Sequence, residues 1–357
     1  MENYNLKYFL AANSCEGFVS LFNQCYNPTD EWRAYIIKGG PGTGKSSFMK
    51  FLTVKATEKN IKFIICPCSS DPNSLDAVIF PEKKVAVFDG TAPHIVEPLY
   101  PGICEEILNF GEFWDSKKLI TNRNKILSLS NENKALHRTA SRYIQAAGEF
   151  LSDNLKTAEA CTDKASTLAF AKTLCKRYIP KHSGRAKEWS AFLGGITPNG
   201  VVSYSNTVLK QTENVVIIND EYGSVTNAVM NYIRSYALEN GYEIITVKNA
   251  FLPSKLCDHI IIPELSLGFV REYSLQHFDS SARRIHARRF VKSANLSKSR
   301  ERIRFNKKVA KHLLLSASAL LAEAKATHDL LEKEYIKAMD FGALTNFANN
   351  IYKEILI

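Results

Sequence analysis

The chain repeats itself. Residues 9–20 (FLAANSCEGFVS) align with residues 192–203 (FLGGITPNGVVS). Tyr35-Ile36-Ile37-Lys38 aligns with Val216-Ile217-Ile218-Asn219, and LDAVIFPE at 75–82 aligns with CDHIIIPE at 257–264. Three matches in the same order, each offset by about 182 residues, mark a tandem duplication. Its boundary falls near residues 181–187, where Pro180, Gly184 and charged side chains cluster. Two units are expected, 1–184 and 185–357.

Each copy has the same coarse anatomy. A β-branched run (35–38; 215–218) precedes a loop and a helical pattern, and a further strand follows (62–66; 243–247). Two more apolar runs come next, at 77–80 and 85–88 in the first copy and at 260–262 and 265–270 in the second. Strands alternating with helices predict an α/β fold with a parallel sheet. Proline is then absent from 102 to 179 and from 264 to the end. Helical spacing runs through both tails, at Ala140, Tyr143, Ile144, Ala147 and Leu151 and at Val309, Leu313, Ala317, Leu320 and Ala324. With the G-x-x-x-x-G-K-[ST] pattern at residues 39–46 of the first copy, the expected fold is two tandem P-loop NTPase-like parallel-sheet domains, each with a helical hairpin appendage.

The first copy carries Gly39-Gly40-Pro41-Gly42-Thr43-Gly44-Lys45-Ser46, followed by Ser47, which fits G-x-x-x-x-G-K-[ST]. The motif follows a β-run and opens a helical pattern. Glycines let the backbone turn its N–H groups inward around a phosphate, and the helix N-terminus adds partial positive charge. Lys45 is expected to reach the terminal phosphates of ATP, and the Ser46 hydroxyl to complete a Mg²⁺ shell. A second metal carboxylate is expected at the end of an apolar strand, and VAVFD at 85–89 supplies Asp89. Gly90 follows, so the adjacent catalytic Glu of many motor-type ATPases is missing and rapid hydrolysis is not expected.

Other polar residues sit just beyond strand ends, where α/β sheets bind ligands. They are Ser69, Ser70 and Asp71, then Thr91 and His94. Asp71 is either an acid that orients an attacking hydroxyl or the capping residue of an Asx-turn in Ser-Ser-Asp-Pro-Asn. His94 is either a phosphate sensor or general base, or an ordinary capping histidine. Asp76 recurs as Asp258 in a copy that has lost the motif, which suits a structural role.

That second copy reads Asp220-Glu221-Tyr222-Gly223-Ser224-Val225-Thr226-Asn227 in the register of the motif. By this alignment Gly42 survives as Gly223, while Lys45 and Ser46 become Thr226 and Asn227. Carboxylates stand where phosphate should sit, no lysine offsets them, and Arg271 aligns with Asp89. The expectation is a degenerate copy that no longer binds nucleotide in the usual way.

These features resemble a family of two-repeat P-loop ATPases found mainly in Firmicutes. The resemblance rests on YIIKGGPGTGKSS at 35–47, DPNSLDAVIFPE at 71–82 and VFDGTAPH at 87–94, with FLGGITPNG at 192–200 and HDLLEKEYIKAMDF at 328–341. It covers nearly the full length. It implies ATP binding and a cytoplasmic setting, and no particular substrate. Relatives often keep a more complete second loop, so two-site behaviour is not implied for this chain.

The net charge is +10, and residues 271–311 hold all of the excess, with thirteen Lys/Arg against three acids. Arg284, Arg288 and Lys292, and then Arg300, Arg304 and Lys308, follow helical spacing. The stretch reads as a solvated face, as a contact for nucleic acid or another polyanion through residues 283–308, or as the source of an arginine that reaches the first copy's nucleotide when the copies pair face to face. Eight scattered cysteines without a CxxC pair suit reduced thiols. No run approaches the ~18 apolar residues of a membrane span, and no leader pattern opens the chain. The function expected is a Mg-ATP-binding slow ATPase or ATP-driven switch. The alternatives are a small-molecule kinase and a nucleotide-gated polyanion-binding module.

Overall fold

The computed structural model describes residues 6–357. The first copy runs β1 (Leu6–Lys7), β2 (Ala11–Ser14), β3 (Gly17–Ser20), β4 (Arg33–Lys38), α1 (Lys45–Glu58), β5 (Ile64–Pro67), β6 (Leu75–Phe80), β7 (Val85–Asp89), β8 (Glu105–Asn109), α2 (Ser116–Thr121), α3 (Arg123–Cys161) and α4 (Lys164–Tyr178). The second runs β9 (Lys187–Ala191), β10 (Gly194–Thr197), β11 (Gly200–Ser203), α5 (Asn206–Gln211), β12 (Asn214–Asn219), α6 (Ser224–Glu239), β13 (Glu243–Lys248), β14 (Cys257–Ile262), β15 (Leu267–Glu272), β16 (Arg284–His286), α7 (Ser293–Lys298), α8 (Arg300–Ile336) and α9 (Phe341–Leu356).

Each copy builds a six-stranded sheet, in the orders β1-β5-β6-β7-β4-β8 and β9-β13-β14-β15-β12-β16. Element for element these are the same order, so the duplication read from the sequence is a duplication of architecture. The sheets are mixed, not parallel as expected. β6 is antiparallel to both neighbours, as is β14. The reason lies in the connection between β6 and β7. Only Pro81 to Lys84 separate the strands, with Lys84 in the left-handed region at φ 52°. A parallel crossover needs a dozen or more residues, so so short a link forces a hairpin.

Side-chain alternation divides each sheet between two cores. On β4, Ala34 and Ile36 face a cluster shared by both copies, which also takes in Ile217, Ile245, Ile261 and Val270. Tyr35 and Ile37 face the other way, onto α1 residues Phe48, Met49 and Leu52. Burial on both faces explains why the strands read as unbroken apolar runs. The two copies also exchange a pair of backbone hydrogen bonds at Phe9 and Phe192, of 2.8 and 2.9 Å.

The helical appendages are not two hairpins on two cores. The long helices α3 and α8 pack antiparallel along their length. Asn133 of α3 donates to the Ala324 carbonyl at 2.7 Å, and Asn154 donates to the Ile303 carbonyl at 3.4 Å. The terminal helices then cross over. Ala171, Leu174 and Cys175 of α4 join the core of the second copy, and Leu344, Ile351, Ile355 and Leu356 of α9 join that of the first. Each sheet is therefore covered on its outer face by one helix of its own copy and one of the other.

Candidate nucleotide site and its diverged counterpart

The glycine-rich loop links the end of β4 to the start of α1. Gly42 (φ +68°) and Gly44 (φ +89°) both take the left-handed conformation, and Gly44 is the residue from which α1 begins. Only glycine adopts such angles without strain. Thr43 is buried, and its hydroxyl donates to the Gly40 carbonyl at 2.8 Å, which fixes the turn. The Lys45 ammonium bends back over the loop, donating to the carbonyls of Gly40 (2.8 Å) and Gly39 (3.3 Å). It also lies 3.6 Å from the Asp89 carboxylate at the end of β7. Asp89 is held in turn by Thr91, whose amide and hydroxyl donate to it at 2.9 and 2.5 Å. The Ser46 hydroxyl accepts from the Leu75 amide at 2.9 Å, while Ser47 is exposed. The loop, Lys45, Ser46 and Asp89 thus come together.

The other expected residues divide. Asp71 accepts from the Asn73 amide at 3.1 Å and the Ser74 hydroxyl at 2.9 Å, the pattern of an Asx-turn, and lies 3.6 Å from Lys325 of α8. His94 is buried against Phe18 and Phe22, with Nε2 3.3 Å from Asp76. Burial disfavours its charged form, but the Asp76 carboxylate outweighs this and holds its pKa above the ordinary value. Cys68, Asp76 and His94 place one ligand atom each within 4.8 Å of one another. Gly90 is fixed by space as well as sequence. A Cβ there would lie 2.3 Å from Cγ2 of Ile36, so no side chain is accommodated after Asp89.

Sequence reasoning missed the groups that cover the loop, because they come from the other copy. The last turns of α8 lie across it. Glu332 accepts from the Gly42 amide at 3.3 Å, and a Cβ on Gly42 would meet the Glu332 carbonyl at 2.8 Å. Tyr335 lies against Gly40 and makes an edge contact with Trp114, and Leu344 of α9 lies against Gly44. His328, 3.5 Å away, holds the Glu332 carboxyl below its usual range. The available signal was the polar spacing of Lys325, His328 and Glu332 within the 328–341 region and the turn before it.

The expected basic arginine is not among these groups. Arg300, Arg304 and Lys307 lie at the opposite end of α8. Lys307 and Glu332 are 25 residues apart on this helix, roughly 37 Å at 1.5 Å per residue. Nor do Arg284, Arg288 and Lys292 form a helical stripe, since they fall in β16, in a short 3-10 turn and at the cap of α7.

The counterpart loop is two residues shorter than the sequence alignment assumed. Six residues separate β4 from α1, but only 220–223 separate β12 from α6. Gly223, at φ +83°, therefore takes the place of Gly44, not of Gly42. In both copies this glycine's carbonyl accepts the first helical bond, from Phe48 (2.9 Å) and from Asn227 (2.8 Å). Ser224 consequently stands where Lys45 does. The shortened loop is filled by its own side chain. Asp220 accepts from the amides of Tyr222 (3.2 Å), Gly223 (3.0 Å), Val225 (3.0 Å) and Thr226 (2.9 Å). Arg271 replaces Asp89 and is buried, donating to Asp258 (2.8 Å) and to the carbonyls of Asp220 (2.8 Å) and Glu221 (2.9 Å). Asp76 and Asp258 are thus both buried anchors, one on a histidine and one on an arginine.

No family model, curated protein or solved structure matches this chain. Among the described residues, no helix is long and apolar enough to cross a membrane.

Proposed function

We propose that the first copy's loop holds the phosphates of a nucleoside triphosphate with Mg²⁺, and that the protein is a slowly hydrolysing nucleotide switch. The observation that carries this reading is the position of Lys45. Its ammonium is held by two loop carbonyls and faces Asp89, beside a helix start built on two left-handed glycines. An anion that entered this turn would meet inward backbone amides, the helix N-terminus and a cation already in place. The donor set suits the metal as well. A serine hydroxyl and a carboxylate are hard oxygen ligands, and Ser46 and Asp89 would hold Mg²⁺ as two contacts of a shell completed by phosphate and water. The ion, when bound, would neutralise charge developing on the phosphate oxygens.

Slow turnover follows from what flanks Asp89. The wall at Ile36 leaves no room for a carboxylate side chain at residue 90 to orient a water. The switch reading rests on Glu332, whose carboxylate takes the Gly42 amide that an incoming phosphate would need. Phosphate entry would displace it and move the end of α8, the long helix of the other copy. Asp71 is occupied by Ser74 and its own turn, so the kinase alternative draws no support from it.

The test is calorimetric titration with Mg-ATP of the wild type and of Lys45→Ala, beside a phosphate-release assay. Loss of at least tenfold in affinity for Lys45→Ala, with phosphate release that is slow and lost in Asp89→Asn, is expected. Unchanged binding by Lys45→Ala would overturn the reading.

A further inference from the structure

A cleft of about 680 Å³ opens over the diverged loop of the second copy, walled by Tyr222 and Ser224 on one side and by Arg288, Arg300, Arg304 and Lys307 on the other. We propose that this cleft binds a phosphorylated small molecule of about nucleotide size, held by side-chain cations instead of backbone amides.

The charge arrangement supports the assignment. Two acids lie at the loop, and both are already matched. Asp220 takes four backbone N–H groups. Glu221 accepts from Lys307 at 2.6 Å and from the Ser274 hydroxyl at 2.7 Å. Despite its burial these bonds hold its carboxyl below the usual range. Arg288, Arg300 and Arg304 have no carboxylate partner among the described residues. Three other arginines of the basic stretch are committed to acids, Arg271 to Asp258, Arg284 to Glu272 and Arg302 to Asp153. Three cations without a carboxylate partner, Arg288, Arg300 and Arg304, thus converge on the concavity beside Lys307. Guanidinium forks match phosphate oxygens in pairs, and the volume lies within the range of small-molecule sites.

Comparison of the copies adds a second, independent argument. The short helices and long helices correspond at an offset of 177 residues, as Arg123 and Arg300 at the starts of α3 and α8 show. At this offset Arg288 corresponds to Gly111, Arg304 to Leu127 and Lys307 to Ser130. The copy that lost the loop lysine therefore carries cations at three wall positions where the other copy has none, while the fourth, Arg300, is matched by Arg123. Convergence on a cleft, in place of an open stripe, favours a compact ligand over a nucleic-acid backbone.

Inorganic tripolyphosphate in EDTA is the probe, followed by calorimetry. The measurement is made in a Lys45→Ala background, which takes the first copy's loop out of the titration, and binding of the probe at the cleft is expected to persist there. Arg288→Gln/Arg304→Gln is expected to lose at least tenfold in affinity, with an unchanged melting temperature because both side chains are exposed and unpaired. Lys308→Gln/Lys311→Gln removes the same charge from outside the cleft and is expected to stay within twofold. An equal loss in both double variants would reduce the effect to general electrostatics and overturn the assignment. So would an absence of binding in the Lys45→Ala background, or displacement of tripolyphosphate by a single-stranded oligonucleotide at lower concentration. Because the Lys45→Ala background removes the first copy's site from the measurement and the other variants lie in the second copy, failure here leaves the Lys45 reading untouched, and the reverse holds too.

Discussion

The carboxylate of Glu332 rests 3.3 Å from the amide of Gly42, so a helix belonging to one copy closes on the loop of the other. Under the proposed function, an anionic side chain there would compete with phosphate both for the amide and by charge. Glu332→Gln keeps the shape and an acceptor but removes the charge. The expected result is a three- to tenfold gain in Mg-ATP affinity, read by calorimetry, in line with about 1 kcal/mol for a charge at a helix N-terminus. An unchanged or weaker affinity would show that the contact does not compete.

Asp220 is the counterpart's own anion. Removing it in Asp220→Ala strands four backbone donors beside a buried arginine. A destabilisation of about 2–4 kcal/mol in urea unfolding is expected, since each orphaned buried donor costs about 1–3 kcal/mol and water recovers part of the loss. A neutral substitution would mean that the loop relaxes into solvent.

Ile351 lies in the last helix of the sequence yet is buried in the core of the first copy. Ile351→Ala is expected to cost about 2–5 kcal/mol. Its signature is location: hydrogen exchange is expected to speed up in β4, β7 and α1 more than in β12, β15 and α6. Faster exchange confined to the second copy would contradict the exchanged packing.

His94 carries a pH dependence with a definite sign. Its folded pKa is raised by Asp76 against the opposing effect of burial. The pair's contribution is therefore fully present below the unfolded value near 6.5 and lost as pH rises through the higher folded value. His94→Gln is expected to cost more stability at pH 5.5 than at pH 8.5, in denaturant titrations at both values. A larger cost at the alkaline end would reverse the assignment.

Much of this architecture is legible in the sequence, for identifiable reasons. Glycine spacing and the lysine betray the loop because few other chemistries need that pattern, and Asp89 follows as the polar end of an apolar strand. Repeated fragments such as VIFPE and IIIPE expose the duplication because both sit where a strand ends in a tight hairpin. The same fragments held the clue to the antiparallel β6, in the short Pro81–Lys84 link. What stayed hidden concerns partners. The stripes on α3 and α8 show that a face is buried but not against what, so the crossing of α4 and α9 left no local trace. Carrying the strand's register on without a gap pairs Gly223 with Gly42, whereas the loop, two residues shorter, pairs it with Gly44. A glycine has no side chain with which to say which turn it serves.

The crossing of α4 and α9 has a consequence for how such a chain can come about. One copy by itself would leave a sheet face bare and project a helix with nowhere to lie. Two identical single-copy molecules would satisfy both by trading that helix, as domain-swapped dimers do. The present chain has the connectivity of such a dimer after its two polypeptides were joined end to end. Once joined, the halves share a fate but not a sequence constraint. One half is free to keep its loop lysine while the other fills its loop with an aspartate, a divergence that a symmetric pair of identical chains cannot make.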